Sequence, residues 1–364
     1  MTLREKLLSV YRKKGYGRIP WAAYGGFLLP AGSVERELRN SGCGLIQWRP
    51  VSSWLPPGMG HMRGWDQESE IKNVQMSIKA VWEDNERILV RTYDTPVGSV
   101  FEKLREDPGY HSLWIKEFLI KSPHDYDVVK FMVENTVLRE QYSTFLEAQE
   151  NMGDDGVVLA VVDRSPWQKT LIELTGTERL YFDLHDNPSP VEDLLSSMEE
   201  RQDEAYRIIA DSPAEVIWMV DNLTGDLTPP KVFEKYCLPF YNRQARRLHE
   251  KNKILVVHMD GKLACLKDLI QKTDVDVIES FTLPEAGGDL PIEEASMAWE
   301  DKSIMANVPA FLCYQKAEEV REYMQELLTT VSPRKNFMLE ISENLPHPFW
   351  KTTLPVVAEV LENQ

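Results

Sequence analysis

Polar residues follow directly on apolar runs at several places in the chain. Asp163 and Arg164 follow Val157–Val162, and Asp221 and Asn222 follow Val216–Val220. His258 and Asp260, then Gly261, follow Ile254–Val257; Glu279 follows Val275–Ile278; Asn307 closes Ile304–Ala306. Glu340, Ser342 and Glu343 stand at the end of Phe337–Ile341. A single Asp or Asn in such a place is usually a helix cap. Together, several carboxylates and one imidazole gathered at one rim would repel one another until relieved by protonation, a cation or a metal.

His258 is the sharpest member of this set. It sits between the apolar stretch Ile254–Val257 and Met259-Asp260-Gly261. It is either a hydrogen-bonded core histidine, an acid or base with a pKa near neutral, or a metal ligand oriented by a carboxylate. Gly261 is expected to let the backbone approach a ligand. Cys237, in a helical stretch, reads first as a small buried hydrophobe, as do Cys265 and Cys313. Trp21, Tyr24, Trp48, Trp54, Trp65 and Trp82 crowd the first part of the chain. Most belong to a core, and some could wall a pocket for a flat substrate.

The elements that would position these residues show a rhythm. Beyond residue 155 the apolar runs above alternate with amphipathic stretches near 165–174, 190–210, 229–250, 261–272, 291–300, 316–330 and 347–361. The runs are β-branched and nearly continuously apolar, as in strands covered on both faces, and alternating strand and helix implies parallel strands. Ile19–Tyr24 and Gly44–Trp48 bring the strands to about eight. The expected fold is an α/β (β/α)8 TIM barrel spanning residues 1–364 as one domain, with an N-terminal elaboration within residues 1–150. Its helices are expected at 2–14 and 30–40. Alternation over 73–94 predicts a β-hairpin, ended by Thr95-Pro96-Val97-Gly98, and residues 110–152 read as helical, with one helix starting at Pro123. In such a barrel the active site lies at the carboxyl ends of the strands, where the polar residues stand.

The charge limits the partners. Fifty-eight acidic against 41 basic residues give a net charge of -17, a field that opposes nucleic-acid binding. Four scattered cysteines without a CxxC pair imply a reducing compartment. No apolar run reaches the length of a signal peptide or membrane span, so a cytoplasmic protein is expected. A homodimer is left open. No GxGxxG, GxSxG, P-loop or HExxH motif occurs.

Larger segments carry a family resemblance. Asp221-Asn222-Leu223-Thr224-Gly225 with Thr228-Pro229-Pro230, Tyr236–Phe240, Val257–Gly261, Val277–Glu279, Ala306–Pro309 and Ser342–Pro346 resemble the uroporphyrinogen decarboxylase superfamily, especially its corrinoid-dependent methyltransferases. Leu29–Gly32, Glu35–Arg39, Gly42–Gly44 and Tyr93–Gly98 resemble the methyltransferases of aromatic methyl ethers. The decarboxylases carry an Arg-Gln-Ala-Gly-Arg loop for propionates, where this chain reads Gly26-Phe27-Leu28-Leu29-Pro30. A decarboxylase-like lyase acting on a carboxylated substrate is therefore the alternative.

The resemblance implies transfer of a methyl group from a small methyl ether or methylamine to cob(I)alamin on a separate corrinoid protein. The leaving oxygen or nitrogen needs a Lewis acid or a proton donor. On this reading His258, Asp260 and Glu279 activate the leaving group, and Asp221, Asn222, Asn307, Glu340 and Tyr24 contact the substrate. The resemblance also implies Zn2+ as a cofactor. One branch binds it through His-x-Cys and a later Cys, and here Asp260 and Glu340 stand near those cysteine positions. The demethylases use Glu-x14-Glu-x20-His, a spacing matched by Asn222, Cys237 and His258 with two residue types changed. The expected ligands are thus His258, Cys237 and Asn222.

Overall fold

The computed structural model describes residues 1–15, 17–28, 32–57, 70–107, 112–331 and 336–364. The chain forms two compact units: Met1–Pro50 with Tyr142–Val161 and Pro213–Gln364, and Val51–Gln141 with Val162–Ser212.

The first unit is a closed parallel barrel. Its strands are β1 (Trp21–Tyr24), β2 (Cys43–Pro50), β7 (Gly156–Val162), β8 (Val216–Met219), β9 (Ile254–His258), β10 (Val277–Phe281), β11 (Ser303–Asn307) and β12 (Phe337–Ile341). They run round the barrel in the order β1-β12-β11-β10-β9-β8-β7-β2. Every residue of β1, β7, β8, β10, β11 and β12 is buried, which accounts for their largely apolar sequences; the polar members Glu279, Ser280, Ser303, Asn307 and Glu340 are buried with the rest. The expected (β/α)8 barrel is therefore the fold.

The helix Leu3–Tyr11 meets the amino-terminal end of the barrel. Thr2 and Glu5 close a capping box at its start. At its other end the Val10 carbonyl accepts from Ser303 Oγ at 2.6 Å, Arg12 grips Glu215 at 2.5 Å, and Lys13 reaches Asp276 at 2.8 Å. These partners begin or immediately precede β11, β8 and β10. Tyr11, the last residue of the helix, is fully buried.

The second unit holds an antiparallel sheet in the order β3 (Gln75–Glu83), β4 (Glu86–Thr95), β5 (Gly98–Asp107) and β6 (Ser112–Glu117). The hairpin expected over 73–94 is β3 and β4. The sheet continues beyond it, because Thr95–Gly98 turns the chain back instead of ending the structure. Ser112–Glu117 corrects the helical reading of that stretch: Leu104 and Arg105 pair with Ile115 and Trp114. A helix does begin at Pro123, behind a Ser122–Asp125 capping box.

A buried ionic cluster ties this unit together. Lys169 Nζ lies 2.9 Å from Asp163 Oδ1, 3.0 Å from Glu173 Oε2 and 2.8 Å from the Pro57 carbonyl. Asp163 also accepts from the Leu55 amide at 3.0 Å, and Arg164 grips Glu173 at 2.9 Å. Two cations balance two carboxylates away from water, so removing one partner strands a charge. We expect Lys169→Met to cost about 3–5 kcal/mol in guanidinium unfolding. A loss of only about 0.5 kcal/mol, as at an ordinary surface position, would contradict this role.

Candidate active site

The barrel register places the first pair of functional groups. His258 ends β9 and lies directly opposite Glu279 in β10. His258 Nδ1 is 2.6 Å from Glu279 Oε2, and His258 Nε2 is 3.3 Å from Asp260 Oδ2. Asn222 Nδ2 donates to the same Asp260 oxygen at 2.9 Å. Glu279 also accepts from Trp218 Nε1 at 2.7 Å and from the Tyr24 hydroxyl. Its carboxylate thus collects donors from β1, β8 and β9.

Two loops interlock to hold Asn222 and Asp260. Leu223 N donates to the His258 carbonyl, Gly261 N to the Leu223 carbonyl, and Gly225 N to the Lys262 carbonyl. A Cβ on Gly261 would lie 2.2 Å from Thr224 Cβ. The missing side chain admits Thr224 of the neighbouring loop.

A second layer lies around Glu340, which faces Asn307 in the register of β11 and β12. Between Ile278 and Phe281 the strand is irregular, and Ser280 adopts φ +63°, an uncommon conformation for a residue other than glycine. Ser280 N donates to Glu340 Oε1 at 2.8 Å. Asn307 Nδ2 donates to Ser280 Oγ at 2.8 Å, Ser342 Oγ donates to Asn307 Oδ1, and the Ser280 and Ser342 hydroxyls are 3.1 Å apart.

Electrostatics separates the two layers. Burial alone would lower the pKa of His258, but Glu279 and Asp260 outweigh it and hold the imidazole well above its ordinary value. Burial would raise Asp260, but the His258 charge, with hydrogen bonds from His258 and Asn222, carries its pKa below the usual carboxylate value. The outer layer therefore sets the imidazole between two carboxyl groups that favour its protonated form. Glu340 is the opposite case: burial first, then the charge of Glu279, push its pKa well up. Tyr11 is raised by the same pattern of burial, Glu340 and Glu279.

Aromatic rings flank the imidazolium. The Tyr24 and Trp48 centroids are 4.9 Å apart, Trp48 and Trp218 5.4 Å, Tyr24 and Trp218 5.6 Å, and Trp218 and His258 6.0 Å.

The expected residues divide accordingly. His258, Asp260, Glu279, Asn222 and Tyr24 form one bonded cluster, while Asn307 and Glu340 form the adjoining one through Ser280. Asp221 is fully buried and accepts from the Tyr241 hydroxyl at 2.5 Å, on the helix Leu238–His249. Cys237 is sealed as well, with its thiol raised by burial and by Asp221. Asp163 and Arg164 belong to the ionic cluster of the other unit. Trp54 is buried there, Trp82 is exposed there, and Trp65 lies outside the described residues. Trp218, Ser280 and Tyr11 were not singled out from sequence. A tryptophan near the end of an apolar strand was the available signal for Trp218; Ser280 and Tyr11 carried none.

The arrangement does not fit the expected zinc set. A histidine ligand needs a free nitrogen lone pair, and here both ring nitrogens face carboxylates. The Asn222 amide points its nitrogen at Asp260, and a zinc-binding thiolate is opposed at Cys237 by burial and Asp221. Among the described residues, no group of three or more His, Cys, Asp or Glu side chains is arranged to hold a metal.

A sequence model of the uroporphyrinogen decarboxylase (URO-D) family matches residues 115–347, more than half of the chain, and the chain belongs to that family. None of the curated protein sequences matches it. Among solved structures, a methyltransferase from Methanosarcina mazei superposes with a TM-score of 0.57 at 11% identity, covering 99% of each chain. A protein assigned as a vitamin-B12 independent methionine synthase from Listeria monocytogenes gives 0.36 at 13% identity, over 62% of this chain and 70% of that one. These likenesses concern the fold. No helix among the described residues is long and apolar enough to cross a membrane.

Glu340 gives the site a pH signature. In the folded protein burial and the Glu279 charge raise its pKa well above that of the ordinary glutamate it becomes in the unfolded chain. Its contribution to stability is present below the ordinary glutamate range and is lost as pH rises toward the folded value. Glutamine keeps the acceptor for Ser280 N and does not titrate. We expect Glu340→Gln to gain thermal stability over the wild type as pH rises from about 5 to about 8. A difference in Tm that stays constant over this range would show that Glu340 is ionised in the fold.

Proposed function

We propose that this protein is a methyltransferase. It takes the methyl group of a small ether or amine and passes it to cob(I)alamin carried by a separate corrinoid protein. The observation that carries this reading is the His258 imidazole, held between Asp260 and Glu279 at the carboxyl end of a barrel strand. Family membership and the fold shared with a methyltransferase support it.

Bound at the barrel mouth, the corrinoid supplies a nucleophile for the methyl carbon. The chain has to make the other half of the molecule a good leaving group. The His258 Nε2 proton faces Asp260, whose side chain is partly exposed. A substrate oxygen or nitrogen that takes the place of Asp260 as acceptor receives this proton. As the carbon–heteroatom bond breaks, its electron pair stays on the heteroatom, which leaves as a neutral alcohol, phenol or amine. The methyl group goes to cobalt, which supplies the two electrons of the new bond. Glu279, fixed by Tyr24 and Trp218, orients the ring through Nδ1. Asp260 then shares a returning proton with the imidazole. Tyr24, Trp48 and Trp218 offer ring surface to the substrate.

The alternative lyase would need to draw a carboxylated substrate toward Asp260 and Glu279, and like charge opposes this. The test supplies the Co(I) corrinoid protein and a panel of methyl ethers and methylamines. Methyl-Co(III) absorbance should appear with at least one donor, and His258→Gln should lower the rate about 10²–10⁴-fold, the usual contribution of a general acid. Carbon dioxide release from a carboxylated substrate without corrinoid, and no methyl-Co(III) from any donor, would establish the lyase instead. The imidazolium also replaces zinc in this scheme. Exhaustive treatment with a chelator should leave the rate and the His258 ring resonances unchanged; loss of both, with recovery on adding zinc, would reverse that assignment.

A further inference from the structure

The outer edge of the antiparallel sheet has an unusual surface. Among the described residues β3 pairs with β4 alone, so its other side presents free backbone groups. Exposed sheet edges are normally blunted by proline, charge or a bulge, because they template pairing with another strand. β3 reads Gln75-Met76-Ser77-Ile78-Lys79-Ala80-Val81-Trp82-Glu83 and pairs with β4 without interruption from Gln75 to Glu83. Met76, Ile78, Ala80 and Trp82 share one face. Met76 is 39% exposed, Ile78 53% and Trp82 75%, so the apolar row is open where it reaches the edge.

We propose that β3 is a self-association edge, which pairs antiparallel with β3 of a second copy and joins the two sheets into one. The occupant follows from the order of residues. With Val81 opposite Val81 of the second copy, Lys79 faces Glu83 of that copy, and the reverse pair repeats across the two-fold axis. On the other face Ala80 lies opposite Trp82, a small residue against a large one, also twice. Both charge and size are then self-complementary, as a two-fold interface requires. Slipping the register so that Lys79 faces Lys79 sets like charges against each other, which selects the first arrangement. Glu83 lies opposite Glu86 of β4 and accepts from Lys103 of β5 at 2.8 Å, so Lys79 of the second copy would add a cation on the open side of these two acids. Pairing one strand edge is a small interface, and its dissociation constant belongs in about the micromolar range.

Sedimentation equilibrium on the full chain, from about 1 to 100 µM, reads this directly. The wild type should shift from monomer to dimer over the range. Trp82→Glu and Lys79→Glu should each weaken the dimer at least tenfold while circular dichroism and Tm stay unchanged. The exchange of Lys79→Glu with Glu83→Lys should restore it. In a Cys265→Ser background, Val81→Cys should form an intermolecular disulfide under mild oxidation, and Met76→Cys, far from its own counterpart in this register, should not. A wild type that stays monomeric throughout, a dimer that survives Trp82→Glu, or equal crosslinking at Met76 and Val81 would each overturn the proposal. None of these readouts depends on methyl transfer.

Discussion

The candidate site is governed by charge balance in a small buried volume. Asp260, Glu279 and Glu340 converge on the neighbourhood of a single imidazole, and Glu279 and Glu340 are both sealed from solvent. Three ionised carboxylates against one cation could not be held there without water to screen them. The structure divides the burden. Glu279 and Asp260 raise the pKa of the imidazole, and burial with the Glu279 charge raises that of Glu340. Each proton is held more tightly because the neighbouring charge makes its loss costly. The two upward shifts are therefore consequences of one electrostatic constraint.

The barrel imposes that constraint by register. Parallel pairing sets His258 against Glu279 and Asn307 against Glu340, so groups far apart in sequence meet at the same height. The irregularity at Ser280 turns its amide to Glu340 and its hydroxyl to Asn307, and so connects the two layers. Beyond the strand ends, the interlocked loops carrying Thr224 and Gly261 fix Asn222 and Asp260 relative to one another. The helix Leu3–Tyr11 acts from the opposite end, its position set by ion pairs to residues preceding β8 and β10.

The barrel was largely legible because its strands are buried on both faces. Val157–Val162 and Val216–Val220 have no reason to be continuously apolar outside such a layer. His258, Asp260 and Glu279 were legible as a group because strand ends in a parallel barrel share one rim. Direction was not legible. Asp221 and Asn222 are adjacent, yet the first turns to Tyr241 and the second, at φ +50°, turns to Asp260; one residue reverses the side of the barrel faced. Ser112–Glu117 was read as helix because its strand identity comes from pairing with β5, a long-range contact that local pattern does not carry. Tyr11 lay hidden for a related reason: at the end of an amphipathic helix it looks like any core residue, and only the tertiary position of that helix brings it near two glutamates.

The spacing on which the demethylase resemblance rests is matched at Asn222, Cys237 and His258, while the residue types differ at the first two. Spacing is a property of the scaffold: it records the length of a loop and a helix between two strand ends. Ligand identity is a property of the site, free to change while the scaffold persists. Asn222 offers an amide hydrogen where a carboxylate would offer an oxygen, and that hydrogen goes to Asp260. Asp260, so held, occupies Nε2 of His258. A metal at that nitrogen and a proton at that nitrogen are mutually exclusive. The amide of Asn222 thus sets Asp260 beside that nitrogen through an ordinary hydrogen bond.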